Sequence, residues 1–429
     1  MRRLSLFFCV FLAPSLASAD PARLGVEDVV RMALASGPSL VSARARAEAA
    51  DDLRKSARGR LLPSVVVSEE YQHWDGPFTI AFPGAPAGSG VTARDQDTNT
   101  FAVAASQPLL GLLRRSEAYK AQARSAEAAA AGVRVSEAAA REAIEVEYLR
   151  MFEAQSLTDI AKVSEAELSQ QVVITEAEVK AGTRTNSDLL RVKVALSNAR
   201  QQGIEAGTQR IVARANLLGV IGYPPDDTSV VFSEPTSLLK QATSEKPNSA
   251  RAVELRPEVQ QAELHAEAAQ HEERSHFYGL LPEVDLEAAY SRVDGQVFAP
   301  KNSAFVGVKA AWPIWEWGAS EHARRAAAAQ ARALQSDAEG QKRQVRVELA
   351  ARGAELEAAK SAVRLAEETI TSAEEAYRVT DALVRAGSGT ISDLLDAQSA
   401  LSQARHHLTR ARYEHAIARI QLERSAGTH

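Results

Sequence analysis

Two periodicities alternate along this chain. Between residues 283 and 290 apolar side chains recur at every second position: Val284, Leu286, Ala288 and Tyr290 share one face of a predicted strand, and Glu283, Asp285 and Glu287 the other. Ala304, Val306, Val308, Ala310 and Trp312 repeat the pattern, Phe101, Val103 and Ala105 carry it in the first half, and residues 65–74 alternate less cleanly. The rest reads as helix: about 26–60 and about 257–278, each ended by a proline, then two alanine-rich stretches, 109–181 and 314–386, each followed by a return helix. A stretch of about 73 residues, roughly 110 Å as one helix, is too long to stand alone and predicts close packing against partner helices.

The order of elements is used twice. Ala181-Gly182-Thr183-Arg184-Thr185-Asn186-Ser187-Asp188-Leu189-Leu190 returns as Ala386-Gly387-Ser388-Gly389-Thr390-Ile391-Ser392-Asp393-Leu394-Leu395. About 12 of 20 positions from residue 181 agree at an offset of about 205, which marks an internal repeat. Pro38 and Leu62-Pro63 match Pro257 and Leu281-Pro282 at about 219 instead, so the first half holds an insertion of about 14 residues before Pro108. It falls between Gly76-Pro77 and Gly90, a composition that predicts a surface loop. The domain reading is a leader over 1–19, a first repeat over 20–240 and a second over 241–429.

The leader follows from Arg2-Arg3, an apolar run from Leu4 to Leu16 and Ala17-Ser18-Ala19, the pattern of a cleaved secretory signal. Cys9, the single cysteine, lies inside it, so the exported chain has no disulfide and no thiol metal site. The formal charge of −5 argues against a nucleic-acid partner. No later stretch has the roughly 20 apolar residues of a spanning helix. His271-Glu272-Glu273-Arg274-Ser275-His276 approaches a zinc-protease motif, but its histidines are five apart and leave different faces of a helix. No phosphate loop or nucleophile elbow is present. The chain is read as no enzyme, with no cofactor and no metal.

Strict alternation with aromatic ends suits a membrane β-barrel, apolar toward lipid and polar toward the lumen. Four strands are too few to close one, since the smallest barrels have about eight, and an open sheet leaves two bare edges. Three chains of four strands each close the ring. The fold class is therefore mainly α with membrane β: a tandem-repeat protomer of long antiparallel helices and four strands.

The duplication, the strand–Gln107-Pro108-Leu109 and strand–Trp312-Pro313-Ile314 junctions, the paired Gly-x-x-Thr-x-Ser-Asp-Leu-Leu turns and Arg256-Pro257-Glu258-Val259 together resemble the TolC-like outer-membrane efflux proteins. The resemblance covers nearly the whole exported chain. It implies a homotrimer whose twelve-stranded outer-membrane barrel continues as an α-helical barrel in the periplasm. It also implies a passive exit duct for a tripartite pump or a type I secretion system, with a periplasmic adaptor and an inner-membrane pump as partners. The other reading is a periplasmic coiled-coil scaffold or adaptor without a channel.

The resemblance also assigns roles. Asp393 and Asp396, three apart and on one helix face, would form a ring of carboxylates at the periplasmic entrance. Asp188 would belong to the gate, with Arg184 as a substitute charge, because Gly389 and Val384 stand where the best-known member has arginine and tyrosine. Gly182, Thr183, Gly387 and Ser388 would be the tips on which the adaptor docks, and the segments near 76–99 and 294–302 would face outward. From the residues themselves, Glu283, Asp285 and Glu287 are candidate lumen carboxylates that favour cations. Trp312, Tyr290 and Trp74 are candidate membrane-interface aromatics.

Overall fold

The computed structural model describes residues 23–81, 83–84, 86, 90–240 and 249–428. The leader over 1–19 lies outside the described residues, and the expected boundary at 240/241 abuts another stretch outside them. In order, the elements are β1 (Arg23–Leu24), α1 (Val26–Ser36), α2 (Pro38–Gly59), β2 (Ser64–His73), β3 (Phe78–Ile80), β4 (Val91–Pro108), α3 (Gly111–Lys180), α4 (Asn186–Val220), β5 (Val231–Phe232), α5 (Thr236–Lys240), α6 (Ser249–Leu255), α7 (Pro257–Tyr278), β6 (Glu283–Gln296), β7 (Asn302–Ala311), α8 (Ala319–Arg385) and α9 (Ile391–Ser425). The duplication reaches individual boundaries: α4 and α9 begin and end at an offset of about 205, and α2 and α7 at about 219.

The chain forms two compact units. One comprises residues 1–37, 140–243 and 355–420, and the other residues 38–139, 244–354 and 421–429. In the first, α1 lays Val29 and Val30 against Ile144, Tyr148 and Met151 of α3 and Leu217 and Leu218 of α4. Tyr148 is fully buried, and its hydroxyl lies 3.1 Å from the carbonyl of Leu24 and 2.5 Å from that of Ser233. These carbonyls flank the short parallel ladder of β1 and β5, so one hydroxyl ties that ladder to the long helix. Tyr148→Phe removes the bond and leaves buried acceptors. The expected loss is about 1–3 kcal/mol, read by chemical unfolding.

The second unit holds an antiparallel sheet ordered β2-β4-β6-β7, with β3 added to the start of β4. Its register settles the faces. Val67 lies opposite Val103, Val103 opposite Tyr290, and Tyr290 opposite Ala304; the next row is Val65, Ala105, Ala288 and Val306. Residues directly opposite share a face, so these two apolar rows fall on one side, which also carries Glu69, Phe101, Arg292 and Asn302 in the row after them. The other side carries Ser68, Ala102, Ser291 and Ser303 in one row and Val66, Ala104, Ala289 and Phe305 in the neighbouring one, so the alternation expected between lipid and water is partial. β2 and β7 each pair on one edge only among the described residues.

Three expectations shift. The helix at 26–60 is two helices, because Gly37 closes α1 with a 2.8 Å bond to Ala33 and Pro38, lacking an N–H, opens α2. The helix at 314–386 starts only at Ala319, since Trp317 and Gly318 have φ of 54° and 79°, outside the helical region. The inserted loop contains a short ribbon: Phe78-Thr79-Ile80, all strand formers, pair with Val91, Thr92 and Arg94. Strand pairing thus extends beyond the expected loop ends at residues 99 and 294.

Arg256-Pro257-Glu258-Val259 proves to be a buried joint. Pro257 is the first residue of α7, and the Arg256 guanidinium, 5 % exposed, donates to Glu258 (2.9 and 3.2 Å), to Glu348 of α8 (3.2 and 3.5 Å) and to the carbonyl of Arg424 (3.3 Å). Among the described residues, no helix is long and apolar enough to cross a membrane.

Candidate channel surfaces and entrance

Each long helix pair of the first unit turns through the same motif. Gly182 (φ 74°) and Gly387 (φ 76°) adopt the left-handed conformation that glycine tolerates. A β-carbon at either would meet nothing within 4 Å, so conformation rather than space requires glycine there. The amides of Gly182 and Thr183 bond back to Val179 and Glu178, and those of Gly387 and Ser388 to Val384 and Leu383, the Schellman pattern that closes a helix. The hydroxyls of Thr183 and Ser388 also fold back, at 3.0 and 3.1 Å, onto the Glu178 and Leu383 carbonyls. All four residues are exposed.

Asp188 and Asp393 open the return helices as members of capping boxes. The Asp393 carboxylate accepts from the Thr390 hydroxyl (2.6 Å) and amide (3.2 Å), while the Thr390 hydroxyl accepts from the Asp393 amide (3.1 Å). Thr185 and Asp188 do the same at 2.8, 3.1 and 3.2 Å. These bonds, the threonine hydroxyl foremost, hold both carboxyls below their ordinary range. A depressed folded-state pKa adds stability above the unfolded value near 3.8 that is lost as pH falls further. The caps therefore persist at neutral and mildly acidic pH and open in strong acid. Thr185→Ala or Thr390→Ala should each cost about 1 kcal/mol, seen as faster amide exchange in the first turn of α4 or α9.

Asp396, exposed, has no hydrogen bond or ion pair among the described residues. Arg184, by contrast, is engaged. Its guanidinium reaches from the first turn to the carbonyls of Val384 (3.3 Å) and Gly389 (3.4 Å) in the second and lies 3.5 Å from Glu178. Gly389 is tight: a β-carbon there would come within 2.9 Å of Val384 Cγ2 and 3.0 Å of its backbone nitrogen. Val384 itself is buried with Val192, Ile391 and Leu394. An arginine side chain at 389 has no room, and the guanidinium arrives from position 184 instead.

On the polar face of the sheet, the three candidate carboxylates stand where the alternation places them. Two are not free: Glu283 pairs with Arg114 at 3.0 Å and Glu287 with Lys309 at 3.8 Å. Asp285 lies directly opposite Lys309 in the register, so each of the three carboxylates has a basic side chain as a neighbour. Of the aromatics, Tyr290 lies on the apolar face with its hydroxyl 3.0 Å from Asn302, and Trp312 continues that face beyond β7, donating to the Leu280 carbonyl at 3.2 Å. Trp74 does not join them. Counting by two from Ser68 puts it on the polar face, where its ring lies 3.6 Å under the Arg94 guanidinium and its nitrogen 3.3 Å from the Thr98 hydroxyl.

His271 Nδ1 lies 2.7 Å from Glu117, which also accepts from Lys120 at 2.6 Å, and no group of three possible metal ligands exists among the described residues.

The family model for the outer membrane efflux protein matches residues 29–223 and 248–428, both repeats. The chain belongs to that family. This efflux protein is an exit duct of the outer membrane, in a family of passive channels. It is 23 % identical to the alkaline protease secretion protein AprF of Pseudomonas aeruginosa, over 100 % of this chain and 89 % of that one. To the outer membrane protein TolC of Vibrio cholerae it is 28 % identical over 35 % of this chain and 36 % of that one. The solved structure of CusC, described as a transmembrane channel, superposes with a TM-score of 0.82 at 16 % identity, covering 94 % of this chain and 91 % of that one. At that identity the likeness speaks for the fold, which matches the helical-barrel and β-domain class read from the sequence.

Proposed function

We propose that three copies of this efflux protein join edge to edge, β7 of one pairing with β2 of the next, to close a twelve-stranded barrel. The observation that carries this reading is the four-stranded sheet whose outer strands β2 and β7 each pair on one edge only among the described residues, with exposed valines on the face of Val65, Val67, Val306 and Val308. Within it the two repeats, 20–240 and 241–429, each supply one hairpin and one long helical turn. Cargo passes without chemistry in the duct itself, and an inner-membrane pump, coupled through a periplasmic adaptor, supplies the energy. The exposed tips at Gly182, Thr183, Gly387 and Ser388 are the adaptor's landing points. AprF matches the chain from end to end and is named for protease secretion, which favours a protein cargo over a small molecule.

Asp396 is the entrance carboxylate free to turn toward a cation, since Asp393 and Asp188 stay ionised but have their oxygens held by the caps. Three copies of Asp396 around the axis attract divalent cations, and Arg184 ties the two turns of each protomer together. Asp396→Asn should weaken cation block of the single-channel current while leaving helix stability unchanged; Asp393→Asn should do the reverse. Equal effects on block would contradict the division of roles. Recovery of the mature protein from the soluble periplasmic fraction would overturn the duct itself.

A further inference from the structure

We infer that Arg94 sets the ionic selectivity of the duct's outer mouth: its guanidinium, held on the ring of Trp74 on the lumen side of the sheet, is one of three that form a cationic collar and draw anionic cargo groups, carboxylates above all, toward the exit. The inference rests on the trimeric barrel proposed above and adds a site at the end of that barrel farthest from the helices.

The order of elements fixes which end this is. Helices α2 and α7 lead into β2 and β6, and β4 and β7 lead into α3 and α8, so the turns joining β2 to β4 and β6 to β7 lie at the opposite end of the sheet. Trp74 follows β2 at that end. Its amide bonds to the Gln96 carbonyl (2.8 Å), and its indole N–H donates to the hydroxyl of Thr98 (3.3 Å), a residue only 4 % exposed. Thr98 lies opposite Gln72 and therefore stands on the side of Ser68, away from Val65 and Val67.

A wide bulge brings Arg94 to the same place. Between the pairs Asn99–Asp294 and Arg94–Gln296, β4 has residues 95–98 where β6 has only Gly295. Gly295 has φ 85°, and a β-carbon on it would collide with the Asp97 carbonyl oxygen, so conformation and close approach both require glycine. Bulges re-aim side chains, and here the Arg94 guanidinium carbon comes to rest 3.6 Å from the centre of the Trp74 ring.

The charge is not neutralised where it sits. Among the described residues no carboxylate pairs with Arg94, its neighbour Asp95 and Asp75 beside Trp74 included, and its buried Nε atom has no hydrogen-bond partner. Asp97, within the bulge, accepts instead from the Tyr71 hydroxyl (2.6 Å) and lies 2.7 Å from His73 Nδ1. Glu70, on the same side of β2 as Trp74, is four residues back, about 13 Å by strand rise. Stacking on a ring face positions a guanidinium without cancelling its charge, and its N–H fork stays available to a passing carboxylate. Three such groups around one axis add their fields inside a channel with low-dielectric walls.

The test is the reversal potential across a planar bilayer in a potassium chloride gradient. The reference is the Asp396→Asn protein, so that the entrance carboxylates do not mask the mouth. In that background Arg94→Glu should shift the permeability ratio toward potassium by roughly twofold or more. Trp74→Leu should shift it less in the same direction, and Trp74→Phe, which keeps an aromatic face, should stay near the reference. The exported chain has no other cysteine, Cys9 lying in the leader, so Arg94→Cys places a single thiol at the mouth. A cationic methanethiosulfonate added on the outer side should restore the reference selectivity, and an anionic one should move it further toward potassium. Oligomer size in detergent is checked for each variant, and if Trp74→Leu fails to assemble, the thiol experiment decides alone. Unchanged reversal potentials in Arg94→Glu and in both modified thiol proteins, with channels of normal size present, overturn the collar and leave the barrel standing. A reference protein that forms no channel removes the barrel reading and the collar together.

Discussion

Arg256→Ala is expected to lower the stability of the unit that holds the sheet by about 3–5 kcal/mol, the cost of leaving buried charges without their partner. The guanidinium bridges Glu258 at the start of α7 to Glu348 on α8 and also satisfies the Arg424 carbonyl near the end of α9. Its removal strands two carboxylates and a helix-terminal carbonyl at once, and the cavity adds to the loss. Arg424, 3.6 Å from Glu258, offers partial compensation to one of them. Chemical unfolding of the detergent-extracted protein reads the effect as a fall in the denaturant midpoint. Arg256→Lys should recover only part, because an ammonium cannot fork between two carboxylates. A loss of less than about 1 kcal/mol would put this joint in the class of surface pairs.

The second large effect belongs to the sheet. Val306 is 77 % exposed in the centre of β7, on the face shared with Ala288, Ala105 and Val65. If that face meets hydrocarbon, Val306→Arg should cost about 2–4 kcal/mol and slow insertion into vesicles, as charges do at the midplane of a barrel. Thr100→Arg, on the polar face opposite Val293, should insert almost as the parent does. Folding followed by resistance to added protease compares the two. Similar losses in both variants would mean that lipid does not distinguish the faces.

Much of this architecture is legible in the order of residues. The two offsets, near 205 and 219, predict the boundaries of α4 and α9 and of α2 and α7 because each repeat must build the same unit. The tips are legible for a chemical reason: glycine then threonine or serine, followed by Thr-x-x-Asp, writes a helix stop and a helix start. The polar face of β6 follows from counting by two. Trp74 went astray because Val65, Val66 and Val67 are three like residues in a row, which hides the register that a cleaner alternation would fix. Carried forward from Ser68, the same count places Trp74 on the polar side, where its ring lies under Arg94.

What the order of residues conceals depends on contacts far apart along the chain. Arg184 meets the backbone of Gly389 across about 205 residues, and only the packing of Val384 explains why that position cannot bear a side chain. The burial of Arg256 depends on Glu348, which no local pattern links to it. Asp393 and Asp396 look alike as a pair on one helix face. Their difference, one held by a cap and one without a hydrogen bond or ion pair among the described residues, appears only with the turn in place.

The central claim is that three chains share one barrel. Electron microscopy of the mature protein, extracted in detergent and averaged without imposed symmetry, tests it most directly. The account predicts particles with threefold symmetry around an open axis, with density for twelve strands in the detergent belt. Monomeric particles whose four-stranded sheet remains open, or a ring with any other number of copies, would contradict it.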